Sequence, residues 1–114
     1  MGHEYTLRAL PSEIGKLSAL QMLKLENCSK LTELPLSIGK LISLRIFSLF
    51  GCSGLTELPP QIGDLQNLEQ LDLRSCAGLT ALPPTLGATL PNLTSLDISM
   101  CKNLTSFPET IGQV

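Results

Sequence analysis

At 114 residues, with 43% apolar and 16% charged side chains, the chain can build one compact unit but not a catalytic domain together with a regulatory one. Eight Lys and Arg against ten Asp and Glu leave no basic excess to neutralise a row of phosphates, so nucleic acid is not an expected ligand. No apolar run approaches the roughly 20 residues of a membrane span, and no export signal opens the chain, so it reads as soluble, unexported and not membrane-bound.

The leader, residues 1–6, contains the one histidine, His3. It has no partner at ligand spacing and reads as a solvated terminal residue. Met1 to Thr6 also fits the M-G-x-x-x-[ST] acylation pattern at Gly2, but one acyl chain anchors weakly and no polybasic run accompanies it. Whether Gly2 is myristoylated stays open.

From Leu7 onward the sequence repeats. Cys28, Cys52, Cys76 and Cys101 fall 24, 24 and 25 positions apart, and the rest aligns behind them. The units are 7–30, 31–54, 55–78 and 79–103, with a partial fifth at 104–114. Their shared pattern is L-x-x-L-P-x-x-I-G-x-L-x-x-L-x-x-L-x-L-x-x-C-x-x, and the fourth copy carries one extra residue around Ala88 and Thr89.

Each unit has a Pro at its fifth position (Pro11, Pro35, Pro59, Pro83, Pro108) and a Gly four residues later (Gly15, Gly39, Gly63, Gly87, Gly112). These residues forbid one helix through the repeat and force a bend, the Pro by fixing φ and the Gly by permitting tight or positive-φ backbone. The P-x-x-I-G-x-L stretch is therefore expected as a short helix or 3-10 turn. The following L-x-x-L-x-L, as in Leu68 to Leu73, alternates as a short strand with one buried face. Strands joined by return paths of this length run parallel, so the repeats stack into a solenoid.

This pattern resembles the leucine-rich repeat, and its L-P-x-x-I-G-x-L arc with Cys in place of Asn is similar to the repeats of plant TIR-type nucleotide-binding disease-resistance receptors. The resemblance covers Leu7 to Val114. It implies an α/β fold: a right-handed solenoid forming a horseshoe segment, one parallel strand per repeat on the concave side and short helical or 3-10 arcs on the convex side. It also implies a non-catalytic module that binds protein partners, such as a pathogen effector or a host signalling protein, in the cytoplasm. The Ras-group scaffolds share the arc but carry Asn at the Cys position, and stand as the alternative.

The four Cys could form a metal site, disulfides or a structural ladder. Stacked strands lie about 4.8 Å apart, which puts the first and last Cys of a column too far apart for one zinc. Equivalent Cβ atoms in neighbouring repeats point the same way, which disfavours a disulfide. The expected arrangement is a buried ladder of Cys28, Cys52, Cys76 and Cys101, each thiol packing as a small apolar group and offering a weak donor to a neighbouring turn, and therefore kept reduced. No P-loop occurs, and no Ser or Thr has a His to activate it, so no catalytic residue, cofactor or metal is expected. Asn27, Asn92 and Asn103 open formal glycosylation tripeptides, which stay unmodified in a chain that is not exported.

The resemblance places partner binding on the concave face. Alternation assigns three outward columns there: Met22, Ile46, Gln70, Ser95; then Lys24, Ser48, Asp72, Asp97; then Glu26, Phe50, Arg74, Ser99. Met22, Ile46 and Phe50 are expected to form an apolar anchor rimmed by Lys24, Glu26 and Arg74. Asp72 beside Asp97 forms a small acidic stripe, and Leu36 and Ile42 remain as apolar residues outside the lattice on the second arc. The first and fifth repeats lack polar capping units, so lattice side chains at the two ends are expected in water, with end-to-end self-association as one outcome.

Overall fold

The computed structural model describes residues 7–86 and 90–105. The leader with Gly2 and His3, the insertion at Ala88 and Thr89 with Gly87, and the fifth repeat beyond Thr105, including Pro108 and Gly112, lie outside the described residues.

Each arc begins at its proline. Pro11, Pro35 and Pro59 hold extended backbone at φ near −70° (−70°, −68° and −68°). Their carbonyls accept the N–H of Ile14, Ile38 and Ile62 at 3.1, 3.0 and 3.0 Å, starting the 3-10 turns Ser12–Lys16, Leu36–Lys40 and Pro60–Asp64. Proline costs nothing at this entry, because the first N–H groups of a helical turn have no partner within it. Leu86 N–H donates to Pro83 O at 3.0 Å in the same way in the fourth repeat. The helical content of the expected α/β class is entirely 3-10 among the described residues, as suits five-residue pieces.

The arc glycines are required by close approach between turns. A Cβ on Gly39 would lie 2.8 Å from Gln61 O, and one on Gly15 2.9 Å from Ser37 O. Of the two roles open to these glycines, tight backbone is the one Gly15 and Gly39 fill; positive φ occurs instead at the residue before each Cys, Asn27, Gly51, Ser75 and Met100, with φ of 62°, 77°, 60° and 63°. There the chain turns out of the strand and back under the sheet.

The strands β1 (Met22–Lys24), β2 (Ile46–Ser48), β3 (Gln70–Asp72) and β4 (Ser95–Asp97) form one parallel sheet in chain order. Met22, Ile46, Gln70 and Ser95 align across all four strands. The backbone ladder runs past each strand end, with Leu25, Leu49 and Leu73 N–H donating to Ser48, Asp72 and Asp97 O at 2.9, 2.8 and 2.8 Å.

Inward-facing lattice residues make one continuous core. In the second and third repeats Ile38, Leu41, Leu44, Phe47 and Leu49, and then Ile62, Leu65, Leu68 and Leu73, have no exposed surface. Each such side chain contributes roughly 1.5–3 kcal/mol relative to exposure. At the first repeat the equivalent Leu10, Ile14, Leu20, Leu23 and Leu25 are only partly buried and Leu17 is 49% exposed; at the fourth, Leu96 and Ile98 are partly buried.

Two side-chain ladders link successive turns. Cys52, Cys76 and Cys101 donate their thiols to Leu25, Leu49 and Leu73 O at 2.8, 3.1 and 2.9 Å, whereas Cys28 makes only a long contact of 3.9 Å to Glu26 O. All four are free thiols. On the way out of the arcs, the Asn67 and Asn92 amides donate to Ile42 and Gln66 O at 2.7 and 2.9 Å, and after the last Cys Asn103 donates to Ala77 O at 2.7 Å. Asn92 and Asn103, which open two of the formal glycosylation tripeptides, thus use their amide nitrogens to hold neighbouring turns together.

Candidate functional site

The sheet places the three outward columns side by side, and one cluster dominates them. Arg74, just past β3, reaches back with a two-pronged contact to Asp72: Nε to Oδ1 at 2.9 Å and Nη2 to Oδ2 at 2.8 Å. It also approaches Asp97 Oδ2 on β4 at 3.8 Å, so one guanidinium faces both carboxylates of the stripe that Asp72 and Asp97 form in register and offsets one of their two charges. Its other face covers the Phe50 ring, with the guanidinium carbon 4.8 Å from the centroid, a cation–π arrangement.

The charges respond to these contacts. Hydrogen bonding to Arg74 holds the Asp72 carboxyl below its ordinary range, and Asp72 in turn raises the Arg74 guanidinium. Asp97 is also lowered, chiefly by the Ser99 hydroxyl and backbone N–H that both donate to its Oδ1.

Ser48 sits at the centre of this face and is only 3% exposed. Its hydroxyl lies 3.3 Å from Glu26 Oε2 and 3.5 Å from Asp72 Oδ2, and accepts the Phe50 N–H at 3.4 Å. Carrying one proton, it can donate to only one of the two carboxylates at a time. Lys24, Glu26, Ser48, Gln70, Asp72 and Arg74 help line a shallow depression of about 270 Å³.

Two expectations are corrected here. Met22, Ile46 and Phe50 do not form one apolar anchor. Met22 and Ile46 pair at the start of the strands, whereas Phe50 lies four residues past Ile46, beyond the end of β2, with the polar Lys24–Ser48–Asp72 column between. Phe50 is also capped by Arg74 rather than bare. Ser48, expected as an outward contact residue, is buried beneath its charged neighbours. Met22 is 48% exposed and Ile46 partly so.

The sequence reading missed Arg45 and Glu69, which lie at equivalent positions 24 residues apart, just before β2 and β3. They form a second two-pronged pair, Nε to Oε2 at 3.1 Å and Nη2 to Oε1 at 3.2 Å, at the opposite edge of the face from Arg74. The signal available was a basic and an acidic residue one repeat apart in the same column.

The described residues contain no cluster of His, Cys, Asp and Glu able to hold a metal ion, and no helix among them is long and apolar enough to cross a membrane.

A family profile described as "Zer-1-like, Leucine-rich repeats" matches residues 12–112. The chain belongs to this leucine-rich repeat family. The leucine-rich repeat domain of the type III effector XCV3220 (XopL) superposes with a TM-score of 0.79 at 32% identity, over 94% of this chain and 38% of that one. The Leptospira interrogans leucine-rich repeat protein LIC12759 does so with a TM-score of 0.61 at 31% identity, over 94% and 32%. This chain thus spans about a third of the length of the solved structures it resembles. No curated protein matches it. Leucine-rich repeats are a typical protein–protein interaction fold and typically non-catalytic.

Proposed function

We propose that this chain is the recognition part of a plant disease-resistance receptor-like protein: a non-catalytic module that binds a pathogen or host protein on its concave face and works in the cytoplasm. The observation that carries the reading is the Phe50–Arg74–Asp72–Asp97 cluster. It is a mixed aromatic and charged surface mounted on a sheet whose central strands bury Phe47, Leu49, Leu71 and Leu73, so it is preorganised before any partner arrives. Arginine and aromatic side chains are the groups most enriched among those that dominate interface energies. The repeats ending in Cys support the receptor subclass, and the free, carbonyl-bonded thiols fit a reducing compartment.

The test is affinity capture from leaf extract with the wild-type chain and with Arg74→Ala and Phe50→Ser variants of unchanged melting temperature. A protein retained by the wild type and lost from both variants is the expected result. Equal retention by all three would remove the concave cluster as the recognition site.

A further inference from the structure

A second surface lies away from the sheet, where the chain enters the arcs. Here the segments Glu33–Leu36, Glu57–Pro60 and Ala81–Pro84 stack to enclose a groove of about 350 Å³. Its floor is apolar: Leu34, Leu58 and Leu82, at 4%, 4% and 5% exposure, show only their edges, beside Pro59 and Pro83. One wall is the exposed column Leu36, Pro60, Pro84, in which Leu36 is 62% exposed. The other wall carries Glu33 and Glu57, both exposed, at equivalent positions of adjacent turns.

These two carboxylates differ from those on the sheet. Asp72 and Glu69 are engaged by Arg74 and Arg45, whereas Glu33 and Glu57 have no ion pair among the described residues. Both line the same groove at equivalent positions of successive turns, so two like charges face solvent beside an apolar trough, an arrangement that a cationic partner would relieve.

We propose that this groove binds an extended peptide segment of alternating cationic and apolar residues. The alternation follows from the two walls. In an extended chain successive side chains point to opposite sides and residues i and i+2 lie about 6.6 Å apart. Lys or Arg at i and i+2 reach Glu33 and Glu57, while the residues between them pack against Leu36, Pro60 and Pro84. The groove shares no lining residue with the depression on the concave face.

The experiment uses the full chain and a fluorescein-labelled Lys-Val alternating octapeptide, followed by anisotropy at low salt. Saturable binding is expected, weakened about tenfold by the double variant Glu33→Lys/Glu57→Lys, since each exposed charge contact is individually modest. The reversed variant is expected to bind the matching Glu-Val peptide that the wild type rejects. Leu36→Asp weakens the Lys-Val peptide as well. A control reversal, Glu13→Lys/Asp64→Lys, leaves it unchanged, and Glu33→Gln/Glu57→Gln serves if the reversal lowers the melting temperature. Absence of saturable binding, affinity indifferent to Glu33, Glu57 and Leu36, or equal weakening by the control would overturn the proposal. So would sedimentation showing that the groove variants alter self-association, which would assign the groove to a second copy of the chain.

Discussion

Arg74 lies between Asp72 and Phe50, gripping the carboxylate with two nitrogens at 2.9 and 2.8 Å while its guanidinium carbon covers the ring at 4.8 Å. One side chain therefore sets both the charge and the apolar exposure of the concave face. Its planar fork cannot be reproduced by an ammonium group. Arg74→Lys is expected to keep the net charge yet lose most of any binding that depends on this cluster, with little change in melting temperature. Titration calorimetry of the two chains against a partner recovered on the wild type checks this. Full affinity in the lysine variant would show that charge alone is read.

The same contact makes a prediction about acid. Asp72 is held below its ordinary pKa of 3.8, first by the hydrogen bond from Arg74. A carboxyl depressed in the folded state binds fewer protons there than in the unfolded chain. It stabilises the fold above the ordinary value, and that contribution disappears as pH falls through the lowered folded value. Arg74→Ala is expected to flatten the loss of stability below about pH 4 relative to wild type, measured by urea unfolding at stepped pH. Parallel curves for the two chains would mean that the pair is solvated into irrelevance.

The register of the sheet was legible because the period is strict: Cys28, Cys52 and Cys76 alone predict that Met22, Ile46 and Gln70 align, as they do. Burial within the outward columns was not legible. Ser48 occupies an outward position by alternation, but whether such a residue is wet depends on where longer neighbours fold, and Glu26 and Asp72 close over it. Phe50 is covered for the same reason, by a side chain 24 positions away. The left-handed turn before each Cys was hidden because its column holds Asn27, Gly51, Ser75 and Met100. Only Asn and Gly there announce such a backbone.

Gly39→Ala tests the spacing of the turns. A methyl group there would sit 2.8 Å from Gln61 O and 3.0 Å from Asp64 Oδ2, so the second and third arcs must separate. The arc backbone is tied into the core through Ile38 and Ile62, which limits relief, and an overpacking cost of roughly 1–3 kcal/mol is expected. The comparison is Ser12→Ala on an exposed arc position, expected to be near neutral. Urea midpoints of the two variants decide, and equal midpoints would show that the arcs slide apart freely.

The cysteine ladder predicts loss of stability in base. Burial pushes Cys52 up to about 11 and Cys76 up to about 12 from the ordinary 9.0, because neither thiolate can be solvated inside the solenoid. In the unfolded chain these thiols ionise near 9, so above that pH the unfolded state binds fewer protons than the folded one. Their contribution is complete below pH 9 and is lost as pH rises toward 11 to 12. Cys52→Ala/Cys76→Ala lowers stability at pH 7 by removing the two carbonyl contacts and leaving small voids. It should also remove much of the slope between pH 9 and 11, read by unfolding in urea under reducing conditions. Labelling with a thiol reagent at pH 8 is expected to reach Cys28, whose contact to Glu26 O is long at 3.9 Å and which is 6% exposed, well before the fully buried Cys52 and Cys76, which react only as fast as the solenoid opens. A uniform labelling rate for all four, with the alkaline slope intact in the double variant, would show that the thiols are not sealed in the core.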